Sequence, residues 1–156
     1  MDRLFELEIT LDYNLSTPYN DILHRGDWVR GFGVSFTVTI TNKAERVFRG
    51  TVIKVSLEEH LSSPGSGQFF TWPVFSVPKL EPEDYFTSVE YEHIPQHEGV
   101  CEILLDSEVF KRKDIIITGS IQKTSVPNRR SSSFSVIRWQ ELEIIQLLRK
   151  LVAKEK

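Results

Sequence analysis

Apolar and polar positions alternate with a period of two along much of this chain. The clearest case is Val34-Ser35-Phe36-Thr37-Val38-Thr39-Ile40-Thr41-Asn42. Its apolar residues fall on one face and its hydroxyl residues on the other, the pattern of a strand with one dry and one wet wall. The same spacing predicts strands over Leu4–Leu11, where Phe5, Leu7, Ile9 and Leu11 oppose Glu6, Glu8 and Thr10, and over Thr51–Leu57, where Ile53, Val55 and Leu57 face inward. Further strands are predicted over Asp84–Glu92, Val100–Asp106, Ile115–Ile121 and Phe134–Trp139. Phe69–Val77 also reads as a strand, but Pro73 interrupts it, which predicts an edge position or a bulge. Ser62–Gly67 carries turn chemistry, and Val126–Ser133 reads as a polar loop.

About eight strands joined by turn-rich connections, with no helical pattern between them, predict an all-β, antiparallel β-sandwich. That domain is expected to span residues 1–139. From Gln140 the period changes: Glu141 to Val152 holds helix formers without Gly or Pro, so residues 140–156 are predicted to form an amphipathic helix. Ile144, Leu147, Leu148, Leu151 and Val152 share one broad face, with Glu143, Gln146 and Lys150 opposite. Acidic residues lead and basic residues finish, which complements the helix dipole. The helix either packs across the sandwich or meets something else.

Three segments carry a family resemblance. Val34–Leu57, Val77–Glu92 and Glu98–Ser107 resemble bacterial and archaeal immunoglobulin-like domains of the CARDB type. The matching features are a strand ending in Thr41-Asn42, a following Val-rich strand, Leu80-Glu81-Pro82-Glu83 at a turn where the family has Leu-x-Pro-Gly-Glu, and Gly99 with Ile103 and Asp106. The chain departs by lacking glycine after Pro82, by placing Cys101 where an aromatic is common, and by continuing into further strands and a helix. The resemblance covers Phe32 to Ser107. It implies an immunoglobulin-like sandwich and transfers no catalytic residue. His24–Asn42 also looks like an arrestin-like strand following its Pro-Gly-Asp turn, so that sandwich is the competing fold.

Composition narrows the function classes. With 156 residues, 40% hydrophobic and 26% charged, the chain is one ordinary globular domain with room for a core. A net charge of -3 argues against a surface built to grip nucleic-acid phosphates. The single cysteine, Cys101, excludes an internal disulfide, and no apolar run is long enough for a membrane span. The chain opens without a signal-peptide core, so a cytoplasmic location is expected.

Candidate chemistry is sparse. His93 and His97 have the spacing of two zinc ligands on a helical turn, but Pro95 between them argues against a helix. Glu90, Glu92 and Glu98 are the acidic residues at hand to complete such a site, which makes a metal-dependent enzyme at His93 and His97 the less favoured alternative. Glu58-Glu59 reads as a carboxylate pair at a turn, and Cys101 as a buried core residue. No nucleophile elbow or phosphate loop is present. Phe69, Phe70 and Trp72 follow a Gly-Ser loop and offer a platform for stacking on sugar rings, the first alternative, although aromatics at this spacing more often fill a core. Arg129-Arg130 and Lys111-Arg112-Lys113 read as solvated basic loops. The expectation is therefore a non-enzymatic module without cofactor or metal. It binds a protein partner or a second copy through Ile144, Leu147, Leu148, Leu151 and Val152.

Overall fold

A computed structural model of the chain describes residues 5–60 and 67–154. The period-two segments become strands of two sheets. The first holds β1 (Phe5–Leu15), β3 (Val34–Asn42), β7 (Tyr85–Thr87), β8 (Tyr91–His93) and β10 (Ile115–Gly119). The second holds β2 (Asp27–Val29), β4 (Thr51–His60), β5 (Gln68–Thr71), β6 (Phe75–Val77), β9 (Gly99–Asp106), β11 (Gln122–Lys123) and β12 (Arg129–Ile137). A short 3-10 turn, Glu108–Lys111, links β9 to β10, and the helix α1 (Trp139–Lys154) follows β12 almost directly.

The inward positions read from the sequence are the ones that meet. Leu7, Ile9, Val38 and Ile40 of the first sheet share a core with Ile53, Val55, Leu57 and Ile103 of the second, and all are buried. Each such side chain contributes roughly 1.5–3 kcal/mol by leaving water. The longest pairing joins β1 and β3 antiparallel, from Leu7↔Asn42 to Leu15↔Val34. Trp28 stacks on Phe134 with centroids 4.4 Å apart, which ties β2 to β12 inside the core.

The strand arrangement corrects the expected one in several places. Two pairings are parallel rather than antiparallel: β1 with β10 and β2 with β12. Parallel neighbours need a long crossover, and here the chain runs through most of the second sheet before β10 returns beside β1. Gly119 closes that pairing at φ 111, where an added Cβ would lie 2.0 Å from the Ile9 carbonyl oxygen. The predicted 84–92 strand divides into β7 and β8. Ser88 sits between them, its amide donating to the Val38 carbonyl at 2.8 Å and its hydroxyl accepting from the Val38 amide at 3.0 Å. The predicted 69–77 strand breaks at Pro73 into β5 and β6. The predicted loop over 126–133 is instead a strand from Arg129, paired with β9 from Arg129↔Asp106 onward. The expected turn over 62–67 lies, up to residue 66, outside the described residues.

Candidate functional site

Two features stand apart from the sandwich core. The first is α1. Leu142, 3% exposed, inserts among Tyr19, Ile22 and Val29 in a small second cluster beside the main core. The Gln146 amide reaches the Pro18 carbonyl at 3.4 Å on the same side. At about 100° per residue, Ile144, Leu147, Leu148, Leu151 and Val152 lie roughly 140–280° around the helix from Leu142, on the side turned away from the domain. All five are exposed, from 53% at Leu147 to 58% at Leu151. Among the described residues only the first turns of the helix are anchored, and the apolar stripe faces outward.

The second feature is a group of carboxylates and imidazoles around the end of β4. Alternation continues past Leu57, so Glu58 and His60 point out and Glu59 points in. The Glu58-Glu59 pair is therefore part of a strand and not of a turn. On the outer face His60 Nε2 lies 3.3 Å from Glu102 Oε1 and 3.8 Å from Glu58 Oε2. On the inner face the Glu59 side chain is 2% exposed and lies 3.7 Å from His93 Nε2 and 3.8 Å from His97 Nδ1. Its Oε1 accepts from the backbone amides of Gln96 at 2.7 Å and His97 at 3.4 Å. Its Oε2, together with His93 Nε2 and His97 Nδ1, is buried without a hydrogen-bond partner. Burial outweighs the attraction of Glu59 and holds the His93 pKa below its ordinary value.

His93 and His97 are thus brought together, not by a helical turn but by the end of β8 and the segment after it. Their shared carboxylate is Glu59. Glu92 is exposed and pairs in register with Ser35, Glu90 is exposed, and Glu98 is engaged by Arg30 at 3.5 Å and Arg138 at 3.4 Å. Glu59 was readable in the sequence by carrying the Ile53, Val55, Leu57 alternation two places further.

The aromatic trio divides. Phe69 is exposed on β5, whereas Phe70 packs against His93 at 4.7 Å and Trp72 against Phe36 at 5.5 Å and Tyr91 at 5.6 Å. The basic segments are largely spoken for. Arg129 pairs with Asp106 at 3.0 Å, Arg130 is buried in β12, and Arg112 pairs with Asp114. No helix among the described residues is long and apolar enough to cross a membrane.

No protein-family model matches the sequence, and no curated protein matches it either. Solved structures do. The CARDB domain of the PF1109 protein from Pyrococcus furiosus, determined in complex with di-metal ions, superposes with a TM-score of 0.50 at 11% identity, covering 88% of this chain and 98% of that one. A β-glucosidase from Listeria innocua in complex with isofagomine matches with a TM-score of 0.47 at 14% identity, over 85% of this chain and only 16% of the enzyme. The fold is that of a CARDB-like, immunoglobulin-like β-sandwich carrying a C-terminal helix.

Proposed function

We propose that this domain is a non-catalytic binding module that assembles with a second copy of itself through α1. The observation that carries the reading is the exposed stripe of Ile144, Leu147, Leu148, Leu151 and Val152, turned away from the side on which Leu142 is buried. Five aliphatic side chains in one stripe form a patch of the kind that monomeric proteins rarely leave in water.

The charges along the helix select the partner and its direction. Glu141 and Glu143 lie in the first turns, and Arg149, Lys150 and Lys154 in the last. Two copies packed parallel would set acid against acid and base against base. Packed antiparallel about a two-fold axis between Leu147 and Leu148, Ile144 meets Leu151 of the second copy and Glu141 meets Lys154. Such a contact is self-complementary, as a two-fold interface requires.

Light scattering behind a sizing column tests this on the full chain and on Leu148→Glu and Leu151→Glu variants. These positions are exposed, so the variants keep the fold, which circular dichroism checks. The expected result is a concentration-dependent dimer for the parent chain and monomers for both variants. A parent chain that remains monomeric at every concentration, or variants that dimerise as well as the parent, would overturn the reading.

A further inference from the structure

We propose that the cleft between the two sheets at the outer edge of β12 binds a small oxyanion of the phosphate class, free or carried as an ester. Arg130 supplies the first observation. Along β9, Leu105 lies opposite Arg130, Ile103 opposite Ser132 and Cys101 opposite Phe134. All three partners are core residues, so these positions of β12 share the inner face. Arg130 is thus a cation on the core wall, 9% exposed, and nothing among the described residues pairs with its guanidinium. Burial with no carboxylate to offset it lowers its pKa. Its register partner on β11 is Lys123, a second cation without an ion pair among the described residues. Like charges directly opposite destabilise a strand pair, and a buried charge without a counter-ion costs free energy. An anion held beside them removes both costs.

The cleft is the second observation. β11 pairs with β12 at Arg130 and Ser131 and β2 pairs with it from Ser135, which leaves Ser132 to Phe134 without a partner strand on that edge. There Ser132 and Phe134 line a cleft of about 310 Å³ together with Tyr13, Ser120 and Arg25. Its size falls at the small end of ligand sites, roughly 300–1,000 Å³. Arg130 is the next inward position after Ser132, roughly 7 Å along the strand and within reach of an arginine side chain.

The lining carries a guanidinium and hydroxyls but no carboxylate. Tyr13 Oη accepts from the Gly26 amide and Ser120 Oγ from the Leu11 amide, each at 2.8 Å, and neither hydroxyl proton has an acceptor among the described residues. Arg25 likewise has no ion pair among them. Surplus donors suit a ligand that only accepts, and the oxygens of a phosphate accept from several directions at once. A neutral sugar would leave Arg130 unpaired, and a cation would be repelled.

A second basic cleft, of about 380 Å³, lies beside Phe5 and Ile115 and includes Arg49 and Arg112. Asp114 lines it too and takes two hydrogen bonds from Arg112, so that charge is already answered. Arg49 is exposed. That cleft serves as the control.

The experiment titrates the full chain calorimetrically with sodium phosphate, glucose 6-phosphate and glucose, with sodium chloride holding the ionic strength constant. Arg130→Gln, Arg25→Gln and, in the other basic cleft, Arg49→Gln accompany it. The expected result is one saturable phosphate site per chain, no binding of glucose, and a melting temperature that rises with phosphate. Tighter binding of glucose 6-phosphate than of phosphate assigns the site to an ester, and equal or weaker binding assigns it to the free anion. Arg130→Gln should weaken binding by at least about tenfold. It should also raise the melting temperature of the ligand-free chain, because the unpaired buried charge is gone. Arg25 is exposed, so Arg25→Gln keeps the fold, and it should weaken binding by about two- to fivefold. Arg49→Gln should bind as the parent does. The absence of saturable phosphate binding, glucose bound as tightly as its phosphate, parent-like binding by both Arg130→Gln and Arg25→Gln, or an equal loss in Arg49→Gln would each overturn the proposal.

Discussion

The side-chain amide of Asn42 donates to the backbone carbonyl of Leu80 at 3.0 Å, joining the end of β3 to a turn far along the chain. The same amide donates to the Arg46 carbonyl at 2.8 Å, and Asn42 Oδ1 accepts from the Ala44 amide at 2.9 Å. Asn42 is fully buried, so a single side chain satisfies three backbone groups of two loops. Asn42→Ala would remove all three bonds, leaving the Leu80 carbonyl with its remaining bond from the Phe48 amide at 2.8 Å. The expected loss is about 2–4 kcal/mol, for three hydrogen bonds worth roughly 0.5–1.5 kcal/mol each. A urea denaturation midpoint measures it, and a shift below 1 kcal/mol (about the worth of a single ordinary hydrogen bond) would mean that water reaches the site.

Glu83 occupies the turn position where CARDB-type sequences have glycine, and it keeps the glycine geometry, with φ 72. A side chain in that region costs roughly 1–2 kcal/mol, and the flexibility that glycine adds to the unfolded chain returns part of that, roughly 0.5–1 kcal/mol. Among the described residues its one ion pair is a long exposed one to Lys43 at 3.9 Å, which is worth little. Glu83→Gly is therefore expected to be stabilising by about 0.5 kcal/mol, read as a small rise in melting temperature. A clear fall would show that the side chain contributes to the turn.

Cys101 is fully buried on β9, and burial pushes its thiol pKa up, with Glu59 and Glu102 adding to the effect. Since the thiolate is the reactive form, both access and ionisation oppose modification. The native chain at mildly alkaline pH is expected to be inert to a thiol-specific disulfide reagent, and one thiol should titrate on unfolding in guanidinium. Rapid native labelling would mean that the end of β9 opens locally.

The strands were most legible where one face is dry and the other wet. Val34–Asn42 has strict alternation, and its strand has those bounds. Arg129–Ser133 was not legible, because its stability as a strand comes from a backbone ladder to Asp106–Glu102, which leaves no apolar pattern in the local sequence. The break at Ser88 was equally hidden: a serine that imitates a strand partner for Val38 looks like any polar position of a longer strand. At the inner cluster the histidine pair is visible in the sequence, but its carboxylate stands on β4. Acidic residues near in sequence competed for the assignment, while Glu59 is near only in space.

The contrast between Leu142 and Leu148 separates the two faces of α1. Leu142 is 3% exposed and Leu148 57%, although both are leucines of one helix. Leu142→Ala removes the plug from the Tyr19, Ile22 and Val29 cluster and is expected to cost about 2–3 kcal/mol, the lower range for buried leucine truncations because the cluster is small and can close. Leu148→Ala should change the stability of the monomer by less than about 0.5 kcal/mol, yet weaken self-association. Thermal melts at low and high protein concentration distinguish the two effects, because a subunit contact makes the melting temperature depend on concentration. Leu148→Ala should flatten that dependence, whereas Leu142→Ala should lower the melting temperature at every concentration. If Leu148→Ala instead lowers stability as much as Leu142→Ala in dilute monomer, the stripe is packed on its own domain and the helix is core.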